Sequence, residues 1–204
     1  LAARLRRGAT RRVQSTMSAN DPRDKTARLG MIVFLGSWAV MFAALFFVYA
    51  MVRARAVAWP PSSTPALPLA LSAINTLVIL LSSAALQASL WALIRGKALW
   101  MPRLVGAATA LGWLFLLLQV FAWQGLVRAG LVPSSGIYAS TFYLLTSFHA
   151  LHVFIGAVAL IGVTVRSLGG AYTAARHTGL RLWTMYWHFV GIVWAITFVT
   201  VYLL

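Results

Sequence analysis

The 204-residue chain is 61% hydrophobic and carries 17 basic but only 2 acidic side chains, for a formal net charge of +15. This hydrophobic fraction exceeds what a soluble domain of this size buries, so the composition predicts an integral membrane protein. The absence of cysteine excludes a disulfide framework and a thiolate metal site. We expect no nucleic-acid binding, because the basic residues are scattered over short loops.

A basic segment, residues 1–28, precedes the apolar stretches. Its first part, residues 1–16, is rich in arginine and free of acid, a composition shared by organellar transit peptides and by translated upstream sequence. Because Met17 opens a plausible cytoplasmic start, we interpret residues 1–16 as a start-site artefact. A transit segment is the alternative.

Five apolar stretches follow, and they predict an all-α fold in which five transmembrane helices form a bundle. A helix needs about 20 residues to cross a hydrocarbon core. None of the stretches shows the alternating pattern of barrel strands. The predicted spans are about 29–52, 66–94, 104–127, 137–165 and 182–204. Residues 29–204 are therefore one predicted membrane domain.

Basic residues are divided unequally between the two faces of this bundle. One face collects Arg23, Lys25, Arg28, Arg95, Lys97, Arg103, Arg166, Arg176 and Arg181. The other face collects only Arg53, Arg55 and Arg128. Because cytoplasmic loops are enriched in Lys and Arg, this split predicts a cytoplasmic N-terminus and, after five crossings, an external C-terminus.

The five stretches contain no Asp, Glu, Lys or Arg in their interior, so histidines are the main candidates for chemistry at membrane depth. His149 and His152 lie three residues apart on one helix face, a spacing that could support a metal or haem. His188 is the remaining histidine at this depth, and no carboxylate or thiolate completes a ligand set. We therefore predict structural hydrogen bonds between helices for these three residues. His177, in a loop, is expected to be solvated.

Other polar and aromatic side chains have two interpretations each. Gln87, Gln119 and Gln124 could line a polar path, but glutamines between helices more often act as hydrogen-bonding links. Trp91 and Trp100 flank a predicted loop, where tryptophans typically anchor helices at the level of the lipid headgroups. A stacked cofactor site is the alternative, but no phosphate-binding glycine motif accompanies them.

Two long motifs resemble subunit III of the haem-copper cytochrome c oxidases. They are GIYASTFYLLTSFHALHVFIG at residues 136–156 and YWHFVGIVW at residues 186–194. Shorter matches occur in the same order: RLGM at 28–31, WPP at 59–61, Asn75-Thr76 and Leu118-Gln119. The five-helix form resembles bacterial members of the family, which lack two helices of the mitochondrial type.

The resemblance implies an accessory subunit of the bacterial plasma membrane that supports O2 reduction without chemistry of its own. It implies that the chain contacts subunit I in a complex that also contains subunit II. Haem and copper would be bound only by those partner subunits. It also implies bound phospholipid, with Arg166 matching a family arginine that contacts lipid phosphate. His149, His152 and His188 match family histidines. By analogy, the first two helices would form one group and the last three another.

Three positions depart from the family pattern, because acidic residues of the family are replaced in this chain. The resemblance places a glutamate at Trp38, a second glutamate at Ala122 and an aspartate at Gly191. Those acids are associated in the family with the proton-uptake side and with contacts between helices. Their loss predicts a member reduced to packing and lipid contact.

Two alternative functions remain open from the sequence. One is an accessory protein of a nitric oxide reductase system, resembling subunit III, which the missing acids favour. The other is an independent small channel or transporter, which predicts conductance or uptake by the isolated protein in liposomes.

Overall fold

The computed structural model describes residues 22–62 and 64–204, and these residues form five long helices. The helices are α1 Pro22–Arg55, α2 Leu69–Ile94, α3 Met101–Arg128, α4 Ile137–Leu168 and α5 Thr178–Phe198, the last continuing as a π-helical turn, Val199–Leu203. All five are long and apolar enough to cross a membrane, so the prediction of a five-helix membrane protein is confirmed. The interpretations of residues 1–16 concern a part of the chain outside the described residues.

Helix α1 starts earlier than the sequence predicted. It begins at Pro22 instead of residue 29, because polar residues at the interface continue the helix beyond the apolar stretch. Asp24 therefore lies in the first turn of α1, where a carboxylate stabilises the positive end of the helix dipole.

The helices do not divide into the expected groups of two and three. The α2 helix packs most extensively against α3 and also against α5, whereas the main neighbours of α1 are α5 and α4. Small side chains explain the close α2–α3 contact, because the Ser82 hydroxyl reaches the Ala108 carbonyl oxygen at 2.7 Å. The α1 helix is peripheral, and its buried residues are Phe42 and Tyr49. The grouping taken from the family analogy was wrong.

Trp187 of α5 lies where four helices meet. Its fully buried indole N–H donates to the Ser82 hydroxyl of α2 at 2.9 Å. The ring faces Gly112 of α3 and Gly156 of α4, where an added Cβ would lie 2.7 and 2.8 Å from ring carbons. Two glycines are therefore required for α3, α4 and α5 to approach around this side chain.

The bundle has two chemically different ends. We call one the basic end; it contains the starts of α1, α3 and α5 and the ends of α2 and α4, together with Arg95, Lys97 and Arg166. The other is the Arg53 end, where the Arg53 guanidinium donates a hydrogen bond to the carbonyl oxygen of Leu204.

Candidate functional site

A pocket of about 450 Å³ opens at the basic end, between the start of α1, the end of α4 and the start of α5. We call it the Arg166 pocket. Its walls include Asp24, Arg166, Tyr172, Arg176, Thr178 and Trp183. It therefore contains the arginine that the resemblance relates to lipid phosphate, together with a second arginine and a carboxylate.

The end of α4 positions Arg166 at this pocket. Gly170 has a φ of +69°, and the Ala171 N–H donates to the Arg166 carbonyl oxygen at 3.0 Å, which turns the chain back. The Arg166 Cζ atom lies 5.9 Å from the centroid of the Tyr172 ring. Burial raises the pKa of the Tyr172 phenol, and the Arg166 charge partly opposes this effect.

Asp24 joins two helix starts at the mouth of the pocket. Its carboxylate accepts a hydrogen bond of 2.6 Å from the Thr178 hydroxyl, so the start of α1 is bonded to the start of α5. This pair, whose members lie 154 positions apart in the chain, was not predicted from the sequence. The signal available was the position of Asp24, the acid nearer to the first apolar stretch of the two in the sequence.

His177 is half-buried beside the Arg166 pocket, and the prediction that it is solvated was wrong. His177 immediately precedes α5, and its Nε2 atom accepts a hydrogen bond of 3.2 Å from Arg181 in the first turn of that helix. Burial lowers the pKa of the His177 imidazole, and the nearby Arg181 charge lowers it further.

His188 links α5 to α2 through both of its ring nitrogens. Nδ1 lies 2.5 Å from the Ser83 hydroxyl, and Nε2 lies 3.0 Å from the Gln87 carboxamide oxygen. Because that oxygen can only accept, Nε2 carries the proton and Nδ1 accepts from Ser83. His188 thus makes the hydrogen bonds between helices that the sequence predicted for it, with a serine and a glutamine one helical turn apart.

His149 and His152 are both buried in α4 but have different surroundings. The His152 Nδ1 atom lies 2.7 Å from the Phe148 carbonyl oxygen of its own helix. His149 has no side-chain hydrogen-bond partner among the described residues and lies 5.3 Å from the Trp194 ring, centroid to centroid. Within this part of the chain neither side chain bonds across helices, so the predicted role of interhelical hydrogen bonding is wrong for this pair. Their surroundings are aromatic.

Comparison with known proteins establishes the family. Residues 12–204 match the family model described as cytochrome c oxidase subunit III. The chain belongs to the cytochrome c oxidase subunit III family. A subunit III relative from Thermostichus vulcanus, named cytochrome c oxidase subunit 3, is 37% identical over 177 residues, which cover 86% of each chain.

Further members of the subunit III family span different organisms. A probable cytochrome c oxidase subunit 3 from Nocardia farcinica is 35% identical over 190 residues, covering 93% of this chain and 92% of that protein. The cytochrome c oxidase subunit 3 of Dasypus novemcinctus is 35% identical over 184 residues, covering 87% of this chain and 69% of that protein. The family resemblance drawn from the two long motifs is confirmed.

The three positions at which the resemblance places acids in subunit III lie in different parts of the bundle. Trp38 contacts His152 edge-on, with ring centroids 4.2 Å apart. Ala122 is buried in α3. Gly191 lines an apolar groove between α2 and α5, close to Ser83 and His188. Trp38 therefore has an aromatic neighbour, whereas Gly191 lies beside the polar side chains of Ser83 and His188.

A buried polar cluster near the Arg53 end was not predicted as a unit. The Asn75 amide donates to the Gln119 carboxamide oxygen at 3.2 Å, joining α2 to α3. The Tyr202 hydroxyl lies beside Ser72 and Gln119, so the π-helical turn of α5 also contacts this cluster. Asn75 and Gln119 belonged to the motifs that indicated the family, and the interpretation of Gln119 as a link between helices is confirmed.

Proposed function

We propose that this chain is the accessory subunit III of a respiratory haem-copper oxidase and stabilises the catalytic subunit without carrying a redox centre. Membership of the subunit III family, with a match that spans all five helices, is the observation that carries the proposal. We further propose that it packs against subunit I beside subunit II in a bacterial plasma membrane. Haem and copper then belong to those partners alone.

The chemistry of the membrane-spanning residues supports a structural role. His188 makes hydrogen bonds to α2, and Trp187 is bonded to Ser82 at the centre of the bundle. Asn75 and Gln119 join α2 to α3. Polar groups that make hydrogen bonds between helices hold the bundle together.

The Arg166 pocket supports a role in holding phospholipid. Arg166 and Arg176 both line the pocket, and a guanidinium group can donate charge-assisted hydrogen bonds to phosphate oxygens. The nine-to-three distribution of basic residues favours a cytoplasmic location for this end. The proposed ligand is therefore a phospholipid of the cytoplasmic leaflet, with its phosphate beside Arg166.

A lipid-retention experiment tests the lipid part of this proposal. The complex that contains this chain would be purified in a mild detergent, and its retained phospholipid would be counted by mass spectrometry. Arg166→Gln is expected to lose one phospholipid per complex, because the phosphate loses its charged partner. Arg128→Gln, at the Arg53 end, is the matched control. Equal retention in wild type and Arg166→Gln would overturn the lipid role.

A further inference from the structure

A second concave site lies at the basic end, between α2 and α3 and apart from the Arg166 pocket. This α2–α3 groove has a volume of about 240 Å³. Its inner wall is apolar and is formed by Ala88, Ala92 and Leu104. Its rim is formed by Trp91, Arg95, Lys97 and Trp100.

The two tryptophans of the groove each lie near an arginine: Arg95, which lines the groove, and Arg103, which lies next to it. The Arg95 Cζ atom lies 5.9 Å from the Trp91 ring centroid, and the Arg103 Cζ atom lies 5.6 Å from the Trp100 ring centroid. Both indoles are more than half exposed, at 53% for Trp91 and 58% for Trp100. The rim therefore combines positioned cations with exposed aromatic faces.

The turn between α2 and α3 is fixed by its backbone hydrogen bonds. Gly96 has a φ of +76°, its N–H donates to the Leu93 carbonyl oxygen at 3.1 Å, and the Lys97 N–H donates to the Ala92 carbonyl oxygen at 2.8 Å. Because the last carbonyl groups of α2 are thus satisfied, the Arg95 and Lys97 side chains are not needed to cap them.

Within the described residues, these cations have no acidic neighbour to neutralise them. Asp24 is the only side-chain carboxylate among residues 22–62 and 64–204, and it is bonded to Thr178 in the Arg166 pocket. The α2–α3 groove is therefore cationic at the rim and apolar inside, whereas the Arg166 pocket contains charges of both signs.

We propose that the α2–α3 groove binds one anionic glycerophospholipid, with its phosphate at Arg95 and Lys97 and its acyl chain along the apolar wall. From Arg95 to Ala88 the wall extends about 10 Å along the axis of α2, enough for the upper part of an acyl chain. A soluble anion would leave this wall unused, and an acidic protein loop would not fit its apolar interior. This inference does not depend on lipid binding in the Arg166 pocket.

Competition between two lipids tests the proposal. The complex that contains this chain would be placed in nanodiscs of phosphatidylcholine with a minor fraction of phosphatidylglycerol, and native mass spectrometry would count the retained lipids. Wild type is expected to retain one phosphatidylglycerol. In the Arg95→Gln/Lys97→Gln double variant the fraction of complexes that retain this lipid should fall at least about five-fold. Trp100→Leu should also lose the phosphatidylglycerol, although this variant keeps every charge. It provides the test if the double variant fails to fold.

Controls distinguish a lipid site from a small-anion site, a protein interface and general surface attraction. Arg128→Gln removes one basic charge at the opposite end and should retain the lipid, as should wild type in the presence of excess inorganic phosphate. Displacement by phosphate would show a small-anion site and overturn the proposal. Release of a protein subunit by the double variant, with the lipid retained, would show a protein interface and overturn it too. Unchanged retention in Trp100→Leu would indicate general surface attraction and would also contradict the proposal.

Discussion

The Trp38 indole of α1 lies edge-on against the His152 imidazole of α4, with ring centroids 4.2 Å apart. Phe42 and Phe148 also contact the imidazole, at centroid distances of 5.1 and 4.8 Å. The contacts of Trp38 and Phe42 are edge-to-face, a geometry that stabilises packing beyond the area that it buries. At a position where the family resemblance implies a glutamate, this chain thus joins two helices by aromatic contact.

Replacing this aromatic contact by a carboxylate should destabilise the bundle. Trp38→Glu is expected to lower the free energy of unfolding by on the order of 3 kcal/mol, because an ionised carboxylate at membrane depth lacks a charged partner. Chemical unfolding in detergent micelles would measure the change. Trp38→Phe retains a ring and should cost less than half as much. Equal stability of the two variants would contradict the cost that we assign to replacing the ring by a carboxylate.

His152 should matter for assembly more than for turnover. The imidazole is anchored to the Phe148 carbonyl oxygen and surrounded by aromatic rings, so His152→Asn removes packing that joins α1 to α4. We expect the variant complex to contain less of this subunit, while the activity per remaining complete complex stays close to wild type. Quantitative subunit content and oxygen consumption measure the two effects. Full subunit content with most of the activity lost would show that His152 has a direct functional role.

The glycines that face Trp187 should tolerate no side chain. An added Cβ at Gly112 would lie 2.7 Å from the Trp187 ring, and at Gly156 it would lie 2.8 Å from both Trp187 and Tyr186. Gly112→Ala and Gly156→Ala are each expected to cost about 1–3 kcal/mol of unfolding free energy, because the rings must shift within a packed core.

Two other glycines provide matched controls for this prediction. Gly125 lies on the same helix as Gly112, and Gly162 lies on the same helix as Gly156, and in the described part of the chain no atom lies within 4 Å of a Cβ added at either. Alanine is also the better helix former, by roughly 1 kcal/mol. Gly125→Ala and Gly162→Ala should therefore be neutral or stabilising in the same unfolding assay. If all four variants behaved alike, close packing around Trp187 would not be the cause.

Stability should fall in mild acid because of His177. Burial and the Arg181 charge hold the pKa of the folded imidazole below its ordinary value of 6.5, so the unfolded chain binds this proton at a higher pH. The neutral ring therefore contributes to the stability of the fold at pH values above 6.5, and this contribution is lost as the pH falls below 6.5. Melting temperature as a function of pH should therefore decline less steeply in His177→Gln than in wild type. If the curve of the variant ran parallel to that of wild type, His177 would not be the cause of the loss of stability in acid.

The sequence predicted the number and type of helices because each span is a long apolar run whose length alone indicates a crossing. The family followed from two motifs whose residues also form the core, including His149 and Trp187. Sequence spacing does not say which face of one helix meets another helix. The contact between Asp24 and Thr178 therefore went unpredicted, and the sequence offered no check on the family analogy, which wrongly grouped α1 with α2.

Individual side-chain partners were less predictable than the fold for the same reason. The His188 bond to Ser83 requires α2 and α5 to lie side by side, which no local pattern reveals. His149 and His152 looked suited to bonds across helices, yet the rings around them come from helices whose orientation the sequence left open. Small residues on α2, such as Ser82, allow close packing, but their pattern does not say that α3 and α5 are the helices involved.

Native mass spectrometry of the gently solubilised complex tests the proposed function most directly, because it identifies the partner subunits together with the retained lipids. We predict one copy of the chain bound to a haem-copper oxidase subunit I and subunit II, with phospholipid retained and no haem or copper on the chain itself. Recovery with a nitric oxide reductase, or of the chain alone with transport activity in liposomes, would contradict the proposed function.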